Sequence, residues 1–245
     1  MPVQDFGRVA DIYDATRSLP VREMGSLVRM IERQVGRGGT LIDIGVGTGR
    51  FAKPLQDLGL GVSGVDISKG MIAKAREKGV RNLTFADVHH LPFRDKVFDA
   101  SLLVHILHLV GDWSRVVRET ARVTRVSIMS VTGSFEGISM EDVYLGVRKQ
   151  MGYPLDRFEG ERGLLDRVRP VELIKVGDLE RKRRADEEIE RLLRREQSMT
   201  WDLPEEAHQR VIADLRSNYG GKILLTKQSI ELAVWTPDLL QMTYS

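Results

Sequence analysis

Apolar residues recur with two different periods along the chain, and the switches between them predict alternating strands and helices. Positions three and four apart are apolar over 21–35, which predicts an amphipathic helix with Leu27 and Ile31 on its buried face. Helical segments also follow most of the short apolar runs that predict buried strands, at 41–44, 61–65, 82–86, 100–104 and 126–131. Strands that alternate with helices in this way predict an α/β fold with a parallel sheet.

The first apolar run leads into the most informative stretch, LIDIGVGTGRFAKPL at 41–55. Three alternating glycines, Gly45, Gly47 and Gly49, follow the strand, and a predicted helix begins at once and extends over 50–58. A strand, a tight turn and a helix N-terminus in this order form the place where an α/β sheet binds a ligand, and glycine lets that ligand approach the main chain. The stretch therefore predicts a ligand site.

Three residues around this turn distinguish between ligands. A dinucleotide-binding GxGxxG sequence would carry glycine or alanine where Arg50 stands, and the carboxylate of Asp43 would repel a pyrophosphate. Asp43 suits a cationic group such as an α-ammonium, and Asp66, at the end of the next strand, lies where a ribose would have its hydroxyls bound. A ligand with an amino-acid end and a ribose is S-adenosylmethionine, so an NAD-linked dehydrogenase is disfavoured.

Three segments, IDIGVGTG, GVDIS and FADVHHLPFRDKVFDAS, resemble in their order and spacing the first motifs of the class I S-adenosylmethionine-dependent methyltransferases. The resemblance covers 13–131 well and 171–235 less specifically. It implies a doubly wound, Rossmann-like sheet of seven mostly parallel strands, with an antiparallel last strand at 229–235. It also implies S-adenosylmethionine as the cofactor and methyl transfer as the activity.

The resemblance also assigns residues to the cofactor. The sequence Tyr-Asp-x-x-Arg at 13–17 is similar to a segment that folds over the cofactor in small-molecule methyltransferases, and an acid at the position of Asp87 commonly accepts the adenine amino group. Ile67 and Met71 are expected beside the adenine, although core packing explains them equally well. The residues expected to bind the cofactor are Tyr13, Arg17, Asp43, Gly45, Gly47, Thr48, Gly49, Asp66, Ile67, Met71, Asp87, Val88 and Val104.

Candidates for the chemistry come directly after the fourth strand, where an open α/β sheet places its ligands. His105 and His108 are the candidates for a general base there, and Tyr13 is a comparable option. In the family that the chain resembles, a histidine at the position of His108 can instead be structural, with a hydrogen bond to a loop. A base is needed only where the acceptor must lose a proton, because the cofactor already carries an activated methyl group.

The whole chain, 1–245, is predicted to be a single domain, with cap helices at 1–36 and with helical insertions at 133–170 and 178–220 that form a substrate lid. A long charged helix is predicted over 178–197. Acids nearly cancel the basic cluster at 181–184, which favours a solvated helix face over a nucleic-acid surface. The candidates to line the lid are Ser134, Phe135, Tyr144, Arg148, Tyr153 and Arg157.

Composition narrows the chemistry further. The chain of 245 residues has a formal net charge of +2, which neither requires nor excludes a nucleic-acid partner, and it contains no cysteine. The missing thiol excludes disulfides, thiolate metal sites, iron–sulfur clusters and a covalent cysteine, and no metal is predicted. Because no apolar run reaches the roughly 18 residues that span a membrane, and because the N-terminal sequence lacks the layout of a signal peptide, we expect a cytoplasmic protein.

Methylation of a small molecule is the leading hypothesis for the function. Enzymes that methylate exocyclic base amines usually carry an Asn/Asp-Pro-Pro-Tyr/Phe segment after the fourth strand, and this chain has Leu-Val-His-Ile at 103–106 instead. A methyltransferase that acts on tRNA or on a protein is the first alternative. A catalytically silent S-adenosylmethionine-binding partner protein is the second, and tight binding without turnover would identify it.

Overall fold

The structure, a computed structural model, describes residue 14 and the ranges 19–155 and 160–244. Two compact units make up this described part of the chain. The first unit contains the described residues of 1–132, 157–177 and 231–245, and the second contains those of 133–156 and 178–230. The insertions predicted at 133–170 and 178–220 overlap with the second unit, whose function as a lid stays a prediction.

Strands and helices follow one another in the order that the hydrophobic pattern predicts for most of the chain. The N-terminal half contains α1 (Val21–Val35), β1 (Thr40–Ile44), α2 (Ala52–Asp57), β2 (Gly61–Asp66), α3 (Lys69–Glu77), β3 (Asn82–Phe85), β4 (Phe98–Leu103), a 3₁₀ turn (Leu107–Leu109), α4 (Trp113–Val123) and β5 (Thr124–Thr132). The C-terminal half contains β6 (Phe135–Gly137), α5 (Met140–Gln150), α6 (Gly160–Arg167), β7 (Glu172–Arg184), α7 (Ala185–Leu193), a 3₁₀ turn (Ser198–Thr200), α8 (Glu205–Tyr219), β8 (Ile223–Trp235) and α9 (Pro237–Tyr244).

The first unit is built on a sheet with the strand order β3-β2-β1-β4-β5-β8. β1 pairs in parallel with β2 on one side and with β4 on the other, so that Ile44 lies opposite both Val65 and Leu103. β3 and β5 extend the parallel part, and the C-terminal part of β8 pairs antiparallel with β5, where Trp235 lies opposite Ile128. This mostly parallel sheet with antiparallel pairing near its end confirms the predicted fold class.

The central strand β1 is buried because its apolar residues leave no polar face for solvent. Leu41, Ile42 and Ile44 have no exposed surface, and a cluster of buried side chains extends from Ile42 and Ile44 to Val117 of α4 and Leu240 of α9. Complete burial of a side chain of this size contributes roughly 1.5–3 kcal/mol to folding. The packing therefore fixes the carboxyl ends of β1, β2 and β4 side by side, which is where the candidate site lies.

The second unit has a core of its own. β6 pairs antiparallel with β8, with Phe135 opposite Gln228, and helices α5, α7 and α8 enclose a separate apolar cluster. Within it Tyr144 Oη and His208 Nδ1 are hydrogen-bonded at 2.7 Å. Burial lowers the pKa of His208 and raises the pKa of Tyr144 to about 12, so that both groups are uncharged at neutral pH and are compatible with an apolar core.

The prediction of a long helix over 178–197 is wrong for its first part, 178–184. β7 extends to Arg184 and pairs with β8, and α7 begins only at Ala185. Along the end of β7 the exposure alternates as in a strand, with Leu179 buried between two exposed residues. Local charge spacing suited a helix, but pairing with β8 and the burial of Leu179 determine the conformation, because tertiary context readily overrides weak local propensity.

Two of the predicted lid residues belong to the interior of the second unit. Tyr144 and Arg148 are almost fully buried. The guanidinium of Arg148 donates to the carbonyl oxygens of Tyr153 at 2.7 Å and Met199 at 2.6 Å, and it forms an ion pair with Asp202 at 2.8 Å. Arg148 therefore connects three segments of the unit and has a structural role, and Arg157 lies outside the described residues.

Replacing Arg148 by methionine is expected to destabilise the second unit by about 2–4 kcal/mol, because two buried carbonyl oxygens and Asp202 lose their partner. Hydrogen exchange followed by mass spectrometry would report this as faster exchange in α5 and α8. The matched control is Arg210→Met, since Arg210 is exposed and pairs with Glu206 only at 3.6 Å; it should shift stability by less than about 0.5 kcal/mol. Equal exchange in the two variants would contradict the structural role of Arg148.

Candidate functional site

The glycine turn after β1 is held tightly against the end of β2. The backbone N–H groups of Gly45 and Val46 both donate to the carbonyl oxygen of Val65, each at 2.9 Å. Gly45, Gly47 and Gly49 all have positive φ, and a Cβ atom on Gly45 would lie 2.8 Å from Cδ1 of Ile106. Glycine is therefore required at position 45 for its backbone conformation and because Ile106 leaves no space for a side chain.

Asp43 is a buried acid at the start of this turn. Burial raises the pKa of its carboxyl to about 7, the charge of Arg50 lowers it, and the charge of Asp66 raises it further. The N–H of Ala52, at the start of α2, donates to the same carboxyl and lowers the pKa. Desolvation and the second carboxylate both disfavour the ionised form of Asp43. A cationic group bound beside it would therefore be stabilised.

Asp66 joins the ends of two strands through its carboxylate. One oxygen accepts from the N–H of Gly47 at 2.9 Å, and the other accepts from the N–H of Ser68 at 2.8 Å. Burial raises the pKa of Asp66, while these N–H groups lower it. Each carboxylate oxygen has more than one lone pair, so the bonds that fix the side chain leave acceptor capacity for the hydroxyls of a ligand.

Residues that the sequence assigned to an adenine pocket are at the adjoining ends of β2 and β3. Ser68 caps α3 by accepting from the N–H of Met71. Met71 and Val88 are buried, whereas Ile67 keeps part of its surface exposed. That Ile67, Met71 and Val88 line an adenine pocket stays a prediction.

Asp87 follows β3 and is an exposed acid with one oxygen already engaged. Its Oδ1 accepts from the backbone N–H of His89 at 2.9 Å and contacts the ring Nδ1 of His89 at 2.6 Å. Burial raises the pKa of Asp87, but the hydrogen bonds and charge of His89 together outweigh burial and lower the pKa. The carboxylate is therefore ionised and held in one orientation.

Asp14 contacts the glycine turn, and sequence reasoning had not assigned it a role. The buried Thr48 donates its hydroxyl to Asp14 Oδ1 at 2.5 Å, and Lys78 forms an ion pair with the same carboxylate. Tyr13 and Arg17, the neighbouring residues predicted to bind the cofactor, lie outside the described residues. The Tyr-Asp-x-x-Arg pattern was the available signal for Asp14, since the acid is its second position.

The two candidate bases follow the end of β4 after Val104. His105 adopts a left-handed backbone conformation with φ of 57°, and its ring lies 6.3 Å from the ring of His108, measured between centroids. A third residue, Glu161 of α6, also reaches this place, and its carboxylate lies 3.5 Å from Nδ1 of His108. Sequence reasoning missed Glu161, because it lies in a segment without a recognisable motif.

The described part of the chain holds no group of three or more His, Asp or Glu residues arranged for a metal ion. Among the same residues, no helix is both long enough and apolar enough to cross a membrane.

Comparison with known proteins identifies the part of the chain that carries this site. Residues 42–127 match a family described as a methyltransferase domain. A phosphatidylethanolamine N-methyltransferase of Cereibacter sphaeroides is 38% identical over 36% of this chain and 47% of its own length. A demethylmenaquinone methyltransferase of Tropheryma whipplei is 35% identical over 49% of this chain and 53% of its own length. The chain thus spans about half the length of these named methyltransferases.

Solved structures with the same fold cover more of the chain. The YcgJ protein of Bacillus subtilis has a TM-score of 0.55 and 20% identity over 86% of this chain and 98% of its own. The [4+2]-cyclase SpnF has a TM-score of 0.53 and 16% identity over 96% of this chain and 98% of its own. At such identities the similarity shows the fold alone, and one fold carries many activities.

The family match and most residues of the candidate site lie in the same part of the chain. The matched domain begins inside β1, contains the glycine turn, Asp66 and Asp87, and ends within β5. Its curated relatives at 34–38% identity are named as methyltransferases. Residues 42–127 therefore contain a methyltransferase domain similar to those of the class I S-adenosylmethionine-dependent methyltransferases.

Proposed function

We propose that this protein binds S-adenosylmethionine at the glycine turn and transfers its methyl group to a small-molecule acceptor. The observation that carries the proposal is the position of two acids at the ends of neighbouring strands, Asp43 buried beside the turn and Asp66 bonded to it. Relatives whose names give demethylmenaquinone and phosphatidylethanolamine as acceptors support a small molecule, as does the absence of a Pro-Pro-Tyr/Phe segment after β4. The expected cytoplasmic location belongs to the same proposal.

The charges at the turn suit the two ends of this cofactor. A buried carboxyl whose pKa is raised to about 7 gains when a cation approaches, because the cation offsets the desolvation of the ionised form. Asp43 would therefore bind the α-ammonium, and the open lone pairs of Asp66 would accept the ribose hydroxyls. Asp87 Oδ2 would accept the adenine amino group between Met71, Val88 and Ile67. Gly45, Gly47, Thr48, Gly49 and Val104 would border the cofactor, and Tyr13 and Arg17 would cover it.

The protein's remaining task is to align the acceptor. S-adenosylmethionine, when bound, supplies a methyl group activated by its sulfonium, so no covalent intermediate with the protein is needed. Alignment of two bound reactants can contribute several kcal/mol to lowering the barrier, up to about 7–11 kcal/mol in the best intramolecular systems. A histidine after β4, His105 or His108, or else Tyr13, would accept a proton wherever the acceptor has one to lose.

Two alternatives remain open to experiment. A tRNA or protein acceptor would use the basic cluster at 181–184, but Arg183 pairs with Glu188 at 2.8 Å and Arg184 with Asp186 at 3.8 Å, which reduces the charge that the cluster offers. Binding of tRNA that weakens steeply with salt would favour this alternative. A silent S-adenosylmethionine-binding protein would bind the cofactor product tightly without turning over any acceptor.

Calorimetric titration with S-adenosylhomocysteine tests the cofactor site directly. Micromolar binding is expected, with no binding of NADH. Asp66→Ala should weaken binding about 100-fold or more, since each hydrogen bond to a charged carboxylate is worth roughly 1.5–3 kcal/mol. The control is Asp57→Ala, because Asp57 is exposed on α2 and pairs with the neighbouring Lys53 of the same helix. If circular dichroism shows a folded Asp66→Ala protein that binds as tightly as the parent, the site is wrongly placed.

The raised pKa of Asp43 predicts a pH dependence of stability. Because folded Asp43 keeps its proton up to about pH 7, whereas the ordinary pKa is 3.8, the folded state binds more protons between these values. Stability from this group is therefore greatest below about pH 4 and falls as pH rises through 7. Asp43→Asn should raise the free energy of unfolding relative to the parent by about 2–4 kcal/mol at pH 8 and by little at pH 4.5.

Urea unfolding of the parent, Asp43→Asn and the exposed control Asp57→Asn at these two pH values measures this difference. Asp57→Asn should change the free energy of unfolding by the same amount at both pH values. A difference between Asp43→Asn and the parent that does not grow with pH would show that Asp43 is already ionised in the folded protein at acidic pH.

A further inference from the structure

Glu161 makes three contacts at the end of β4, although it lies more than fifty residues downstream in α6. One carboxylate oxygen, Oε1, accepts from the backbone N–H of Ile106 at 2.6 Å and from that of Leu107 at 3.1 Å. The other, Oε2, lies 3.5 Å from Nδ1 of His108. The two oxygens thus have different tasks: one anchors the loop, and the other faces the imidazole.

The Glu161 carboxylate is ionised despite its burial. Burial raises its pKa, but the contact with His108 and the charges of His108 and His105 lower it, and together they bring the pKa to about 2. A carboxylate that stays charged at every physiological pH accepts hydrogen bonds and donates none. Nδ1 of His108 can therefore meet this oxygen favourably only when Nδ1 carries a proton.

The start of α6 is packed directly against His108, so the arrangement has little freedom to change. Gly160 has a φ of 62°, and a Cβ atom there would lie 2.8 Å from Cβ of His108. Glycine at this position allows the close approach that brings the next residue, Glu161, to the imidazole. The carboxylate contacts His108, and the charge of His105 also acts on it.

We propose that Glu161 is a positioning residue that holds His108 with its proton on Nδ1, which leaves Nε2 as a general base for an acceptor that loses a proton on methylation. The acceptor class is a hydroxyl, such as a phenol or enol, or an amine. This inference rests on the proposed methyltransferase function, and it assigns the base among the three candidates to His108.

The proton and electron balance of this step is complete without another reactant. The acceptor's oxygen or nitrogen forms the new bond to the methyl carbon while its proton passes to Nε2 of His108. The electron pair of the broken carbon–sulfur bond stays on the sulfur of the departing thioether. The resulting imidazolium lies beside the ionised Glu161, which stabilises its charge, and the partly exposed ring then returns the proton to solvent.

Glu161→Gln separates the two tasks of the carboxylate. Its amide oxygen can keep the bonds from Ile106 and Leu107, while its amide nitrogen takes the place of Oε2 and donates to Nδ1. His108 would then carry its proton on Nε2, which is the wrong tautomer for a base. Because the side chain keeps its shape, the loop should stay in place, and only the imidazole should respond.

The experiment is ¹⁵N NMR of the histidine ring nitrogens at pH 8.5, where imidazoles are neutral, with His108→Gln used to assign the signal. The parent should show His108 protonated on Nδ1, and Glu161→Gln should show it protonated on Nε2. An Nε2-protonated His108 in the parent, or identical tautomers in the two proteins, would overturn the proposal. A purely structural role of Glu161 does not predict this exchange of tautomers.

Binding of S-adenosylhomocysteine separates this inference from the function on which it rests. Equal affinity of the parent and Glu161→Gln is expected, because Glu161 does not contact the glycine turn in the proposed site. Failure of the parent to bind would contradict the proposed function, while the tautomer measurement would still decide the role of Glu161.

The acceptor class is tested with S-adenosylmethionine tritiated in its methyl group and three probe acceptors: catechol, benzylamine and dimethyl sulfide. Methylation of catechol or benzylamine should fall by about 10²–10⁴-fold in Glu161→Gln, the usual contribution of a general base, and the two probes distinguish a hydroxyl from an amine. Methylation of dimethyl sulfide alone, at the same rate in both proteins, would overturn the acceptor class, because a thioether has no proton to lose.

Discussion

The burial of Asp43 beside Asp66 is the constraint on which the rest of the first unit depends. Burial and the nearby second carboxyl disfavour the ionised form of Asp43, and burial disfavours that of Asp66. The charge of Arg50 offsets this at Asp43, and main-chain N–H groups offset it at both acids. The glycine turn provides the N–H of Gly47 for Asp66, and the start of α2 provides that of Ala52 for Asp43. The parallel order of β2, β1 and β4 brings these loops to one edge, so fold and site are a single arrangement.

The sequence predicted those features of the fold and of the site that depend on residues within one short segment. Alternating glycines between a strand and a helix predicted the turn, and Asp66 at the end of the next apolar run was recognised from its distance along the chain. The antiparallel strand ending at Trp235 is likewise confirmed. Each depends on residues near in sequence, or on the regular register of a parallel sheet, and local chemistry therefore sufficed to place them.

The parts that were missed depend on contacts between distant segments. Glu161 reaches Ile106 across 55 positions, and no local pattern distinguishes it from a solvated acid. Asp14 reaches Thr48 across 34 positions, and although the Tyr-Asp-x-x-Arg pattern marks this acid, nothing local identifies Thr48 as its partner. The error over 178–184 has a related cause. The charges are spaced for ion pairs within a helix, but strand pairing between β7 and β8 determines the conformation. The sequence of β7 alone does not reveal that pairing. Tyr144 and Arg148 were expected to line a substrate lid, because the partners that bury them lie more than fifty residues away in the sequence.

Asp43 and Glu161 show how one kind of group can serve two purposes in the same unit. Both are buried carboxyls, and burial alone would raise the pKa of each. Burial raises the pKa of Asp43 to about 7, with a smaller contribution from the charge of Asp66, whereas the pKa of Glu161 falls to about 2 because two histidines are its neighbours. An acid near its titration point gains most from an incoming cation, and a permanently ionised acid is best suited to fix a tautomer. Surroundings rather than residue type therefore separate a group suited to bind the cofactor from one suited to position a base.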